Sequence, residues 1–564
     1  MKPSPSAHVD TFARDHLPPP EQWPALLLDD PGLSYPGRLN CGVELLDRTL
    51  ERLGADRPAF HDGGMPAADG EQRSPRRTWS YGTLRSTVDR LAHVLTSDLG
   101  VVPGNRVLLR GPTTPELAAC WLAVMKAGAV AVTVLAAQRA QELATICELA
   151  RVSHALCDAR VAEELDRAAV PGLRVGLFGG GEHTDVLRLA EGRPDRFDAV
   201  ETAADDVALI AFTSGTTGRP KGCVHFHRDV LAIADTFSAR VLRPHADDVF
   251  TGTPPLGFTF GLGGLVIFPL RVGASALLDQ WRGAAQLLDV VQEHRVSVLF
   301  TAPTAYRAML AQLEKPGEHG PYDLASLRRC VSAGEHLPAS TWESWRERTG
   351  IRIIDGIGAT EMLHIFISAS DEAIRPGRTG RPVPGFQARV VDPDGVTPVP
   401  DGTPGLLAVR GPVGCRYLSD VRQREYVRGG WNITGDTYVR DAEGYFRFVA
   451  RADDMIISAG YNIAGPEVEE ALLRHPEVRE AAVVGRPDEK RGQIVVAHVV
   501  LAPGAPRGSE MAETLRQFTI SELAPYKCPR EIIFAASLPR TPTGKLQRFR
   551  LREPELAPHE RDLE

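Results

Sequence analysis

The stretch Thr213-Ser214-Gly215-Thr216-Thr217-Gly218-Arg219-Pro220-Lys221-Gly222 decides how the rest of the chain is read. Val207 to Phe212, the apolar run before it, is short enough for one buried strand, so the polar segment is expected to leave the end of a sheet as a loop. Gly215 and Gly218 let successive N–H groups turn toward one anion, and the hydroxyls of Thr213, Ser214, Thr216 and Thr217 add small donors. Lys221 adds a point charge. These residue types in this order point to a polyphosphate cradle. The spacing departs from Gly-x-x-x-x-Gly-Lys-Ser/Thr, because Lys221 comes three residues after Gly218 and is followed by Gly222, which disfavours a Walker-type NTPase loop. On composition alone the alternative is a Gly/Thr-rich surface turn.

A chain of 564 residues is too long for one ordinary core and is expected to divide into a large part and a smaller one. Its 43% hydrophobic content suffices for substantial cores, and a net charge of −8 gives no general basic field, so nucleic acid is a poor candidate partner. Cysteines 41, 120, 147, 157, 223, 330, 415 and 528 are scattered without a Cys-x-x-Cys pair or zinc spacing, which predicts reduced, buried thiols in a cytoplasmic chain. Met1 to Pro24 has no apolar signal-peptide core. Gly261 to Leu270 is far short of a membrane span.

Residues 1 to about 40, broken by Pro18-Pro19-Pro20 and Pro36, are expected to form an extended arm over the surface. From Arg106 short apolar runs alternate with amphipathic helices: Val107–Leu109, then helix Pro115–Lys126, then Ala129–Val134 and Ala155–Cys157. The beat returns with a helix from Asp229, strand Ala274–Leu278, a helix from Ala285, strand Val296–Phe300 and helix Pro303–Leu313. This predicts an α/β fold of mostly parallel sheets flanked by helices. After about residue 385 the texture becomes a β-rich subdomain, and helix Pro466–Arg474, strands Ala481–Val484 and Ile494–Leu501 and helix Met511–Leu523 make a small α+β unit. The boundary is placed between domains 1–452 and 453–564. Gly176 to Gly181 does not fit a dinucleotide-binding fingerprint.

Two later segments, Val331-Ser332-Ala333-Gly334-Glu335 and Asp355-Gly356-Ile357-Gly358-Ala359-Thr360-Glu361, are each expected to follow a strand. Ligands in open α/β sheets bind at such strand ends, so both loops are expected to share a cleft with the cradle. His225 and His227 lie on one face of an extended segment, which suggests a metal, but no third ligand is visible and packing is the expected role.

The cradle resembles the phosphate-binding signature of the adenylate-forming superfamily, which groups acyl-CoA synthetases, adenylation domains and beetle luciferase. That resemblance implies that residues 213–218 and Lys221 hold the phosphates of ATP. It further implies that Gly334, Glu335, Asp355 and Gly356 line the nucleotide site, that Thr360 meets the α-phosphate and that Glu361 binds Mg²⁺. Thr434-Gly435-Asp436 is similar to the superfamily's Thr-Gly-Asp, which assigns the ribose hydroxyls to Asp436, with Arg451 as the second ribose contact. By the same resemblance Asp453 is the hinge of a mobile C-terminal domain, Gly460 lines the tunnel for the pantetheine arm of CoA, and Lys545 in Pro539-Arg-Thr-Pro-Thr-Gly-Lys545 is the catalytic lysine.

The longer run Asp355 to Phe366 is similar to the benzoate–CoA ligase group, and Pro254 to Gly264 resembles 2-aminobenzoate–CoA ligases in particular. The implied aryl site has Phe258 beside the reacting carboxylate, Phe260 as a wall, Gly358 on the substrate side and His364 reaching the aryl pocket. The implied activity is ATP-dependent formation of an aryl-CoA through an aryl-adenylate, with Mg²⁺ and CoA, by a monomer or homodimer. The chain departs from the family pattern at Ala450, where Gly is usual, at Ile433, where Arg is common, and at Pro466, one place late. Two other readings stay open: loading of a carrier-protein phosphopantetheine in place of CoA, and a non-catalytic nucleotide sensor, which intact Lys221, Glu361, Asp436 and Lys545 disfavour.

Overall fold

Thr114 Oγ1 accepts a hydrogen bond from Leu117 N at 3.3 Å, and Pro115 occupies the first turn, where no backbone donor is needed. This capped helix, Pro115–Lys126, crosses between the parallel strands Arg106–Gly111 and Val130–Leu135. The same strand–helix–strand logic builds the rest of a six-stranded sheet. The computed structural model describes residues 4–63, 77–182, 184–213, 219–280, 283–314, 321–451, 454–458, 461–488, 491–540 and 546–552.

The six-stranded sheet runs in the order Arg174–Phe178, His154–Asp158, Arg106–Gly111, Val130–Leu135, Val207–Thr213 and Lys221–Phe226. Its first five strands are parallel, and the last returns antiparallel beside Val207–Thr213. The quoted cradle is thus the connection of a hairpin, with Thr213 directly opposite Lys221. A nine-stranded sheet lies beside it, with parallel strands Ile353–Gly358, Arg329–Ser332, Val298–Thr301, Val249–Gly252, Ser275–Leu278 and Pro58–Asp62 in that spatial order. Antiparallel partners close both of its edges.

Five antiparallel strands between Gln387 and Arg451 form the β-rich subdomain. The C-terminal domain has its own five-stranded sheet, packed on helices Gly465–Leu473 and Ser509–Glu522 around Ile456, Val468, Leu472, Val483, Val495 and Leu515. The predicted class, flanked mostly parallel sheets with a β-rich subdomain and a C-terminal α+β domain, is the observed one. All eight cysteines are buried and outside any disulfide. Among the described residues no helix is long and apolar enough to cross a membrane.

Two details differ from expectation. Asp355 to Gly358 do not form a loop after a strand but continue it. The antiparallel strand Ile365–Ser368 takes up pairing from Gly356 onward, just where the parallel neighbour ends at Asp355. The N-terminal arm, for its part, is strapped down rather than merely laid on the surface. Ser419 N donates to His16 O at 3.0 Å, Ala25 N to Gly430 O at 2.8 Å and Leu27 N to Gly411 O at 2.9 Å, while Gln423 Nε2 donates to Gln22 O at 2.9 Å.

Lys126, at the end of its helix, is fully buried, with its ammonium 2.7 Å from Asp89 and 2.8 Å from Asp47. Burial raises the Asp89 carboxyl and Lys126 opposes that rise. Lys126→Met therefore strands a buried carboxylate and is expected to cost about 3–5 kcal/mol. Adding Asp89→Asn should recover most of the loss, as read from melting midpoints of the two variants by tryptophan fluorescence; no recovery would mean the packing of the Lys126 stem matters more than its charge.

Candidate active site

Lys221 opens the returning strand of the hairpin, and its ammonium lies 3.7 Å from Glu361 Oε1 and 2.9 Å from the hydroxyl of Tyr417. Tyr417 donates its own proton to Glu361 Oε1 at 2.5 Å. Glu361 sits in the one-turn helix Thr360–Met362 that follows strand Ile353–Gly358, so the three side chains join the two large sheets. His225, four residues after Lys221, fixes the same turn by donating from Nε2 to the Thr360 carbonyl at 2.8 Å. Burial pushes His225 down to about 4, so the ring is neutral with its proton on Nε2. His227 instead packs on Cys41, with Nδ1 3.2 Å from the Cys41 backbone N. The two imidazoles are therefore separate packing groups, because the strand ends at Phe226 and a helix begins at His227.

In the β-rich subdomain, Asp436 and Arg451 stand opposite each other across an antiparallel pair, and Arg451 Nη1 donates to Asp436 Oδ1 at 3.3 Å. Ser332 and Asp355 are register neighbours on adjacent parallel strands. Gly334, in the loop after Ser332, has φ +91°, a conformation suited to glycine, and so presents Glu335 beside Thr304, whose hydroxyl donates to it. Burial, and after it the charge of Glu361, raises the Tyr426 phenol well above its ordinary range, and burial followed by Asp436 does the same to Tyr438. The Gly356 backbone lies against Ile365, where an added Cβ would stand 2.7 Å from Ile365 Cγ2.

Ser214 to Gly218, Asp453, Gly460 and Lys545 lie outside the described residues. The residues flanking Lys545 are described: Arg540 pairs with Leu546, and Arg540 donates to Glu335 Oε1 at 3.0 Å and to Glu480 Oε2 at 2.8 Å. Arg540 is thereby held against the Gly334–Glu335 segment.

On the other side of the Thr360–Met362 turn, Phe258 packs half-buried against the core and Phe260 is buried. The His364 ring sits among Phe260, Phe268 and Phe237 at centroid distances of 5.5, 4.5 and 5.4 Å. Neither of its nitrogens has a hydrogen-bond partner, the Phe260 backbone approaching without the geometry of a bond. Burial pushes His364 down to about 3, so it is neutral. Gly263 and Gly358 admit this ring and its backbone: an added Cβ would stand 2.4 Å from His364 Cδ2 at Gly263 and 2.8 Å from the His364 carbonyl at Gly358.

Sequence reading missed Tyr417 and Arg540 because their partners are remote: Tyr417 meets Lys221 196 residues away and Glu361 56 residues away. The only local signal was the alternation of Cys415, Arg416 and Tyr417, a strand pattern too short to weigh. Among the described residues no group of three or more His, Cys, Asp or Glu gathers to hold a metal. Glu361, a single carboxylate 7% exposed, fits a cation that takes its remaining ligands from phosphate and water, as Mg²⁺ does.

Asp355 has Oδ1 shut off from water without a hydrogen-bond partner, and burial pushes its carboxyl up to about 8. The folded state then holds a proton that the unfolded chain releases near 3.8, so stability falls as pH rises between these values. Relative to Asp355→Asn, wild type is expected to lose stability from about pH 4 to about pH 8 and to run parallel above that. Melting midpoints across that range check it, and a pH-independent difference would contradict the raised carboxyl.

Comparison with known proteins bears on the whole chain. Residues 46–417 match the family model for AMP-binding enzyme, and residues 467–545 match that for AMP-binding enzyme C-terminal domain. The chain is 34% identical to a benzoate–CoA ligase of Thauera aromatica, over 93% of this chain and 97% of that protein. The solved structure of the anthranilate CoA ligase AuaEII in complex with anthranoyl-AMP has TM-score 0.85 and 32% identity, covering 92% of this chain and 98% of that one. A benzoate CoA ligase from Burkholderia xenovorans LB400 has TM-score 0.81 and 32% identity, covering 91% and 100%. Likeness of this extent leaves one family, and the chain belongs to the AMP-binding enzymes, within the group of the benzoate–CoA ligases.

Proposed function

We propose that this protein is an aryl-CoA ligase that activates a small benzoate-type acid, with 2-aminobenzoate as the preferred one. The observation that carries the choice of acid is the ring cage itself: a neutral His364 without a hydrogen-bond partner, walled by Phe260 and Phe268. A flat ring with one polar substituent would find apolar walls and a single polar group there. The likeness to an anthranilate CoA ligase that holds anthranoyl-AMP supports the same reading.

In this reading a carboxylate oxygen of the acid attacks the α-phosphorus of ATP and pyrophosphate leaves. The thiol of CoA then attacks the acyl carbon, AMP leaves and the thiol proton passes to solvent. Lys221 and the cradle at 213–218 bind the phosphates, Thr360 meets the α-phosphate and Asp436 with Arg451 holds the ribose. Mg²⁺, bound through Glu361, would neutralise phosphate charge. Lys545, close in sequence to the Arg540 that donates to Glu335, enters for the first step and withdraws for the second, as the domain beyond residue 452 turns about Asp453. For the acceptor, Tyr461 on the hairpin strand Tyr461–Ile463 stacks at 4.5 Å on Tyr526 of the one-turn helix Pro525–Lys527, the two rings being 54% and 42% exposed. Such a flat face suits the adenine of free CoA, which a carrier-protein arm lacks.

Acid-dependent ATP–pyrophosphate exchange tests the substrate. 2-Aminobenzoate should exceed benzoate by about tenfold, the worth of one hydrogen bond in a buried site, and both should far exceed acetate, octanoate and cinnamate. Preference for a long-chain acid would overturn the aryl reading, and thioester formation only on a carrier protein would overturn the assignment of CoA. Lys545→Ala should reduce adenylate formation by at least about a hundredfold while largely sparing CoA transfer from preformed adenylate. Equal loss in both half-reactions would remove Lys545 from the adenylation step.

A further inference from the structure

The segment Cys415 to Leu418 adds itself to the edge of the six-stranded sheet. Val224 N donates to Arg416 O at 2.8 Å, Leu418 N donates to Gly222 O at 2.9 Å, and Cys223 faces Tyr417 across the pair. Neighbouring side chains on extended backbone leave on opposite faces. Arg416 goes one way and donates to Asp229 at 2.9 Å, with both side chains fully buried, and Asp229 lies 4.0 Å from His225, which holds the Thr360 carbonyl. Tyr417 goes the other way, to Lys221 and Glu361. One dipeptide therefore grips the Thr360–Glu361 turn from two sides.

The chemistry of the phenol sets the polarity of this contact. Its single proton goes to Glu361 Oε1 at 2.5 Å, so its lone pairs face the Lys221 ammonium at 2.9 Å. The ring also lies under that ammonium, 4.7 Å from centroid to Nζ. Burial, and then the neighbouring Glu361, raise the phenol well above its ordinary range, so it stays protonated and remains a donor. Without the hydroxyl, an ammonium and a carboxylate only 3.7 Å apart are free to close into a direct pair. That pair would consume the charges that a polyphosphate and its cation require.

We propose that Tyr417 is a positioning residue for nucleotide activation: its hydroxyl holds Lys221 and Glu361 apart, leaving the lysine for phosphate and a carboxylate oxygen for the accompanying cation. The proposal rests on the reading of Lys221 and Glu361 as nucleotide contacts. It is tested in the full chain by isothermal titration with α,β-methylene-ATP, which cannot lose pyrophosphate, in excess Mg²⁺ and again in EDTA. The gain in affinity that Mg²⁺ confers is expected to fall about tenfold in Tyr417→Phe, the effect of one hydrogen bond to a charged group. 4-Aminophenylalanine at position 417, which restores a donor, should recover much of it. Tyr426→Phe, whose lost hydroxyl has no hydrogen-bond partner, should keep the wild-type gain. If Tyr417→Phe fails to fold, 4-fluorophenylalanine against 4-aminophenylalanine gives the same comparison in a ring of nearly unchanged shape. An unchanged gain in a folded variant, or equal weakening with and without Mg²⁺, overturns the proposal while leaving the ligase reading intact. Absence of acid-dependent exchange in wild type would remove that reading and this one together.

Discussion

Thr213 and Lys221 face each other across an antiparallel pair, and this pairing fixes the two ends of the segment between them. Everything else in the site is registered against that hairpin. Its returning strand carries Lys221 at one end and His225 further along, and these two side chains reach the turn that holds Thr360 and Glu361 in the other sheet. The junction is polar and largely buried. Arg416 and Asp229 form a fully buried ion pair at 2.9 Å, and Arg416 Nε and Nη2 have no hydrogen-bond partner. Such a pair contributes little net stability once desolvation is counted, and its worth here lies in fixing how the two sheets meet.

The C-terminal domain meets this assembly through helix Gly465–Leu473, which packs on strand Phe446–Arg451, and through a charged contact. Arg540 is shared between Glu335 on the large part and Glu480 on the small sheet. Any reorientation of that domain has to release Glu335 while keeping Glu480. Partly exposed pairs of this kind are held by about 0.2–1 kcal/mol, weak enough to exchange rapidly.

Much of this was legible in the sequence wherever the signal is local. Helix Pro115–Lys126 was placed by its position between two short apolar runs, and the observed limits coincide with the predicted ones. The segment Asp355–Gly358 was misread as a loop because its glycines look like turn residues, whereas Ile365–Ser368 turns them into a strand. His225 and His227 drew attention as a pair, yet a helix begins between them and each packs alone. Tyr417 carried no recognisable motif at all. What positions these side chains is contact between segments 56 to 196 residues apart, and such contact leaves no local pattern to read.

The strap laid by residues 16–27 over 411–430 also bears on how the chain is born. Gln22 and Gln423 are 401 residues apart. At about 5–20 residues per second the strap waits roughly 20–80 s on the ribosome before its partner emerges. Trp23 gains its ring partner Phe226 about halfway through that interval, and the Arg416 guanidinium that lies over it only near the end. Fastening of the N-terminal arm is therefore one of the last events of synthesis rather than one of the first.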